Sequence, residues 1–152
     1  MIKEYFFCCY KQFEVMIFIL VVVIILNTIG VNSLVLAYLG DTIYENYVRK
    51  FLIGRGYTHV DELQKQAVKY VSAKSQATFL KKMMNSNFLS DGEISIVKRA
   101  RNYKTTSHPK SCDIVTYKYA TGLEALIGYL DMENNKERID EIMNFILEDN
   151  IC

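Results

Sequence analysis

Residues 36 to 45, Leu-Ala-Tyr-Leu-Gly-Asp-Thr-Ile-Tyr-Glu, make two demands that few folds meet together. Leu36, Leu39, Ile43 and Tyr47 recur at helical spacing, so the stretch reads as a helix packed into a core. Yet Asp41 and Glu45 sit inside it, one turn apart. A carboxylate beside a core stripe needs a salt bridge, a cap or a cation to offset its desolvation. Gly40 tightens the constraint, because glycine in a helix interior costs about 1 kcal/mol relative to alanine and suits places where something approaches the backbone closely. A second stretch, Ala120-Thr121-Gly122-Leu123-Glu124-Ala125-Leu126-Ile127-Gly128-Tyr129, repeats the pattern of an acid among apolar residues and glycines. Two such helices can face one another.

The rest of the chain after residue 30 reads as helices joined by short polar loops. Asn32 to Ile53 is the first, with Gly54 and Gly56 as its stop signals. Val60 to Met84 is expected as one long second helix, with Lys65, Lys69, Ser72 and Gln76 on a solvated face. Ser90-Asp91-Gly92-Glu93 matches a capping box and should open a third helix through about Arg101. Asn102 to Ser111 holds the single proline, Pro109, and reads as a loop. Cys112 or Asp113 should cap a helix running to about Met132, and Asn134 to Glu148 should form a last amphipathic helix with Ile139, Ile142, Met143 and Ile146 inward. No strand pattern with hairpin turns is present, so the expected class is all-α.

A chain of 152 residues is long enough to bury a real core. A hydrophobic share of 51% and a net charge of +1 exclude a disordered tail and a uniformly basic nucleic-acid binder. The charge is unevenly spread. Between Lys98 and Lys118 six basic residues meet one acid, Asp113, whereas seven acids meet two bases between Asp131 and Asp149. One face can therefore attract phosphates while the whole stays near neutral. Cys8, Cys9, Cys112 and Cys152 lack metal-ligand spacing, which argues against zinc and for a reduced, cytoplasmic protein.

Residues 1–30 differ in character. Val15 to Leu26 is an unbroken apolar run of 12 residues, preceded by Lys3 and Lys11, and is short against the roughly 20 residues of a spanning helix. Three readings stay open: a membrane anchor, an extra helix covering the core or a dimer face, and an upstream extension translated from a misassigned start.

Leu39-Gly40-Asp41 followed by Leu123-Glu124-Ala125-Leu126-Ile127-Gly128 resembles the two signature segments of the ribonuclease III catalytic domain. The resemblance is closest to its small branch, Mini-ribonuclease III, through Tyr47-Val48-Arg49, Val71-Ser72-Ala73-Lys74-Ser75-Gln76-Ala77, Arg101-Asn102, and Pro109-Lys110 leading into Asp113 to Tyr119. It covers about Asn32 to Leu147, so the domain reading is an extension at 1–30 and a catalytic domain at 31–152. The resemblance implies the ribonuclease III endonuclease-domain fold, a homodimer, double-stranded RNA as partner, and maturation of the ends of large-subunit (23S) ribosomal RNA precursor in the cytoplasm.

Hydrolysing a phosphodiester calls for an activated water and relief of charge on the phosphate, which a magnesium ion with hard oxygen ligands supplies. Asp41 and Glu124 are the expected catalytic residues and Mg2+ ligands. Leu34, Ala37 and Thr121 stand where larger family members carry further acids, which leaves the number of metal ions and their outer ligands open. Asp113 lies three turns from Glu124, about 16 Å along a helix, and cannot share a metal with it. Glu45 is expected to pair with Arg49, its i+4 neighbour. Arg99, Arg101, Asn102, Lys104 and Lys110 are the expected RNA contacts, joined by His108. No double-stranded-RNA-binding domain follows before Cys152, so binding should rest on the catalytic dimer and its basic loop and weaken steeply with salt. The alternatives are a catalytically silent RNA-binding member of the same fold and a membrane-attached helical scaffold, the latter motivated by Val15 to Leu26 alone.

Overall fold

The stretch from Ala120 to Leu130 is apolar on nearly every side, and a helix of that kind has to be surrounded. In the computed structural model, which describes residues 30–104 and 112–148, it is. The chain from Asn32 onward runs through α1 (Ser33–Gly54), α2 (Val60–Val71), α3 (Ala73–Asn85), α4 (Asp91–Arg101), α5 (Ile114–Met132) and α6 (Lys136–Glu148). Helix α5 is the centre, with α1, α3, α4 and α6 packed around it and α2 laid against α1. No strand occurs among the described residues, as the periodicity predicted. The run Val15 to Leu26 and the loop residues 105–111 lie outside the described residues. Among those described, no helix is long and apolar enough to cross a membrane.

The core is filled by Tyr44, Val48 and Leu52 from α1, Leu80 and Met83 from α3, Val97 from α4, Leu123, Leu126 and Ile127 from α5, and Ile139, Ile142, Met143 and Ile146 from α6. Each such side chain contributes about 1.5–3 kcal/mol by leaving water. Tyr44 is fully buried, and its hydroxyl finds an acceptor in the Tyr70 carbonyl at 3.1 Å.

Local chemistry sets most helix ends. Asn32 caps α1, its side-chain oxygen accepting from the Leu34 N–H at 2.9 Å. Ser90 and Glu93 form the predicted capping box at α4. Asp113, rather than Cys112, caps α5 by accepting from the N–H groups of Val115 and Thr116. Gly54 is the last residue of α1, and the left-handed turn falls on Gly56 at φ 89°.

Three expectations are corrected. The inward stripe of α1 is Leu36, Gly40, Tyr44, Val48 and Leu52, a strict i+4 row, while Leu39, Ile43 and Tyr47 are only half-buried. The single helix from Val60 to Met84 is two, broken at Ser72, whose backbone is extended at ψ 144°. Its hydroxyl oxygen accepts from the Ser75 N–H at 3.3 Å, so the serine that looked like a mid-helix residue starts a new helix instead. The last helix opens at Lys136 rather than Asn134, because Asn134 adopts φ 56° and the Asn135 side chain accepts from the Arg138 N–H.

Candidate active site

Gly40 and Gly128 bring the two acidic stretches together. A Cβ placed on Gly40 would lie 1.8 Å from the carbonyl oxygen of Glu124, and one placed on Gly128 would lie 2.0 Å from that of Leu36. Helices α1 and α5 therefore cross backbone against backbone, in a contact no larger residue permits. Asp41 follows Gly40 directly, so the crossing sets its carboxylate on the edge of α1 beside Glu124 of α5.

The charges feel one another. Burial pushes the Glu124 carboxyl up to about 7, the negative charge of Asp41 adds to the rise, and the Gln76 amide opposes it. Asp41 is exposed and is raised too, by partial burial and then by Glu45. Glu45 pairs with Arg49 as the spacing predicted. No cation among the described residues pairs with either Asp41 or Glu124. Two carboxylates held close without a basic partner favour a bound cation electrostatically.

As a donor set the pair is small. Among the described residues no group of three or more His, Cys, Asp or Glu converges. The oxygen donors present are of the kind a hard ion that keeps most of its waters, such as magnesium, accepts.

Gln76 is part of this site, and the solvated face assigned to it is corrected here. It is 1% exposed, on α3, with its amide against Glu124; the Nε2 reaches no partner at full hydrogen-bond geometry. Ala73 three residues before it and Leu80 four after it are apolar, but lysines and serines at other helical steps mask that pattern. Tyr44 also lies near Glu124, and burial followed by that carboxylate's charge raises its phenol.

The basic residues stand elsewhere. Arg101 ends α4 with its guanidinium 3.7 Å from the centroid of the Tyr119 ring, and Lys81 lies 4.7 Å from the same centroid. Its stem passes over Gly122, where an added Cβ would meet Arg101 Cγ at 3.2 Å. Tyr119 is five residues before Glu124, about 140° round α5, so this cluster flanks the carboxylates rather than joining them. Asn102 and Lys104 are exposed and Arg99 is half-buried. Lys110 and His108 lie outside the described residues. Lys81 and Tyr119 stand on two different helices, and the fold alone brings them to Arg101.

A model of the ribonuclease III domain matches residues 34–135. The Mini-ribonuclease 3 of Enterococcus faecalis is 42% identical over 117 residues, covering 77% of this chain and 89% of that protein. That of Desulfitobacterium hafniense is 48% identical over 108 residues, covering 71% and 67%. A crystal structure of a Fusobacterium nucleatum protein superposes with a TM-score of 0.71 at 37% identity, covering 80% of this chain and 96% of that one.

Proposed function

Since the chain belongs to the ribonuclease III family, in its Mini-ribonuclease III branch, and is thereby an RNA endonuclease, we propose that it is a magnesium-dependent enzyme that cuts duplex RNA. Its catalytic domain is residues 31–152, it works as a homodimer in the cytoplasm, and its substrate is the base-paired end region of large-subunit (23S) ribosomal RNA precursor. The observation that carries this reading is the crossing of α1 and α5, which sets Asp41 beside Glu124 with no basic partner among the described residues.

In this reading Asp41 and Glu124 hold the ion. When bound, it supplies an acidified water and neutralises the phosphate. The chain's own contribution is position. The glycine crossing fixes the separation of the two helices, so the carboxylates need no rearrangement to act together. Gln76 and Tyr44 crowd the inner side of Glu124 and leave its outer side to face solvent and substrate. Lys104 and Lys110, with Arg99 and Arg101, hold the RNA backbone through their charge and Asn102 through a neutral hydrogen bond, none of which reads sequence. A single centre cuts one strand. Two centres in a dimer meet both strands across the wide, shallow minor groove of an RNA duplex.

Incubating the purified chain with duplex RNA, with and without magnesium, tests the reading. Cleavage is expected with the ion alone, and Asp41→Asn should reduce it at least about 100-fold, the scale of losing one transition-state contact, while leaving the fold and RNA binding intact. Undiminished cleavage by that variant would remove Asp41 from the site. Sedimentation equilibrium reads the dimer directly.

A further inference from the structure

A cavity of about 540 Å3 opens at the other end of α1, between that end and α2. Phe51, Arg55, Tyr57, Gln66, Lys69 and Tyr70 line it, and no acidic side chain does. The left-handed turn at Gly56 makes one wall by folding the chain back, so that the Tyr57 N–H donates to the Leu52 carbonyl at 3.4 Å. The Arg55 guanidinium lies 5.1 Å from the centroid of Phe51, whose ring meets Tyr70 edge-on at 6.0 Å. Neither Arg55 nor Lys69 forms an ion pair among the described residues.

Two uncompensated cations converging on one hollow favour a dianionic or phosphodiester group, and an arginine fork matches phosphate oxygens well. The remaining lining is aromatic with one amide, which suits a flat heterocycle and its polar edge. The volume falls within the range of roughly 300–1,000 Å3 that holds a small ligand. Arg55 is fourteen residues beyond Asp41. That is almost four turns, so the cavity lies on the same side of α1 as the carboxylates, about 21 Å along its axis.

We infer that this cavity is a nucleotide site, with the phosphate on Arg55 and Lys69 and the base against Tyr57. The nucleotide is an unpaired residue of the RNA where it runs out of the duplex, since paired bases have no free face to stack. A free mononucleotide has the same chemistry and is the second source to be distinguished. The inference rests on RNA being the substrate and does not depend on which carboxylates hold an ion.

The test uses the full chain in chelator, so that nothing is cut, and follows fluorescence anisotropy of two labelled RNAs. One is a blunt duplex and the other is the same duplex with a single-stranded flank. The flank should tighten binding about 10-fold, the scale of one stacked base. Arg55→Ala with Lys69→Ala, both on exposed positions, should erase that gain and leave blunt-duplex affinity unchanged. For the flanked RNA the slope of log affinity against log salt should fall by about 0.7, one single-strand phosphate contact. Adenosine monophosphate added as competitor should displace the flank. If it binds through Arg55 and Lys69 while the flank gives no gain, the free nucleotide is the ligand. The proposal is overturned if the double variant keeps the flank's advantage, or if wild-type protein shows neither that advantage nor mononucleotide binding. Cleavage on adding magnesium is read separately, so failure of the carboxylate site shows as loss of cutting with the flank effect still present.

Discussion

A carboxylate that is largely buried and faces a second one holds its proton toward neutrality, and Glu124 is pushed up to about 7 for these reasons. Its reference value is 4.5, so between those values the folded chain binds more protons than the unfolded one. Stability of the metal-free protein therefore falls as pH rises through that window, by up to about 3 kcal/mol from this group. Glu124→Gln removes the charge that causes the loss. In chelator at about pH 8 it should melt above wild type, and near pH 5 the two should converge. Magnesium should raise the melting temperature of wild type and not of the variant. A variant no more stable than wild type at the higher pH would mean that Glu124 is not held against its charge. The amide of Gln76 belongs to the same account, and the sequence hid it. A glutamine among lysines and serines at helical steps looks solvated, and only the packing of α3 on α5 reveals that its side of the helix is buried.

At the level of helices, the α1–α5 crossing and the α4–α6 lock hold the site in place. Gly40→Ala would drive a methyl into the Glu124 carbonyl and must part the two backbones, moving Asp41 away from Glu124. A loss above about 4 kcal/mol is expected, with cleavage lost in whatever protein still folds. Gly54→Ala is the control, since nothing lies within 4 Å of an added Cβ there, and it should be neutral or stabilise by up to about 1 kcal/mol. Thermal melts of the two variants side by side check both.

Arg138 of α6 reaches α4 and the loop before it by donating from Nε to Glu93 at 2.8 Å and from Nη2 to the Phe88 carbonyl at 2.7 Å. Burial alone would raise the Glu93 carboxyl, but the bonds from Arg138 and Ser90 outweigh it and hold it below its usual value. That contribution is present above the reference value and is lost as pH falls through the lowered one. Arg138→Ala strands a buried carboxylate and should cost about 3–5 kcal/mol by urea denaturation at neutral pH, with the deficit shrinking in acid as Glu93 protonates. This lock was half legible. The capping box that holds Glu93 is a local pattern, but its partner is 45 residues away.

Across the whole molecule, a net charge of +1 conceals a basic segment from Lys98 to Lys118 and an acidic one from Asp131 to Asp149. Binding to duplex RNA should therefore depend on salt far more than net charge suggests. Arg101→Ala with Lys104→Ala should lower the slope of log affinity against log salt by about 1.8, roughly two duplex phosphates, with little change in cleavage rate at saturating RNA. A slope equal to that of wild type would remove this segment from the RNA surface. Arg101 differs from Lys104 in being stacked on Tyr119, so losing it also exposes that ring, which should appear as a small drop in melting temperature. The chain's order of residues alone determined the all-α class and most helix ends, because caps and periodicity act over one or two turns, and its resemblance to the ribonuclease III signature segments marked Asp41 and Glu124 as the acids to watch. Tertiary structure alone decided that those acids are neighbours, that Gln76 is inside, and that Arg101 rests on Tyr119. Each of these depends on two helices far apart in the chain touching. The closest touch, Gly40 on Glu124 and Gly128 on Leu36, is set by backbone contact that glycine permits and no local pattern encodes.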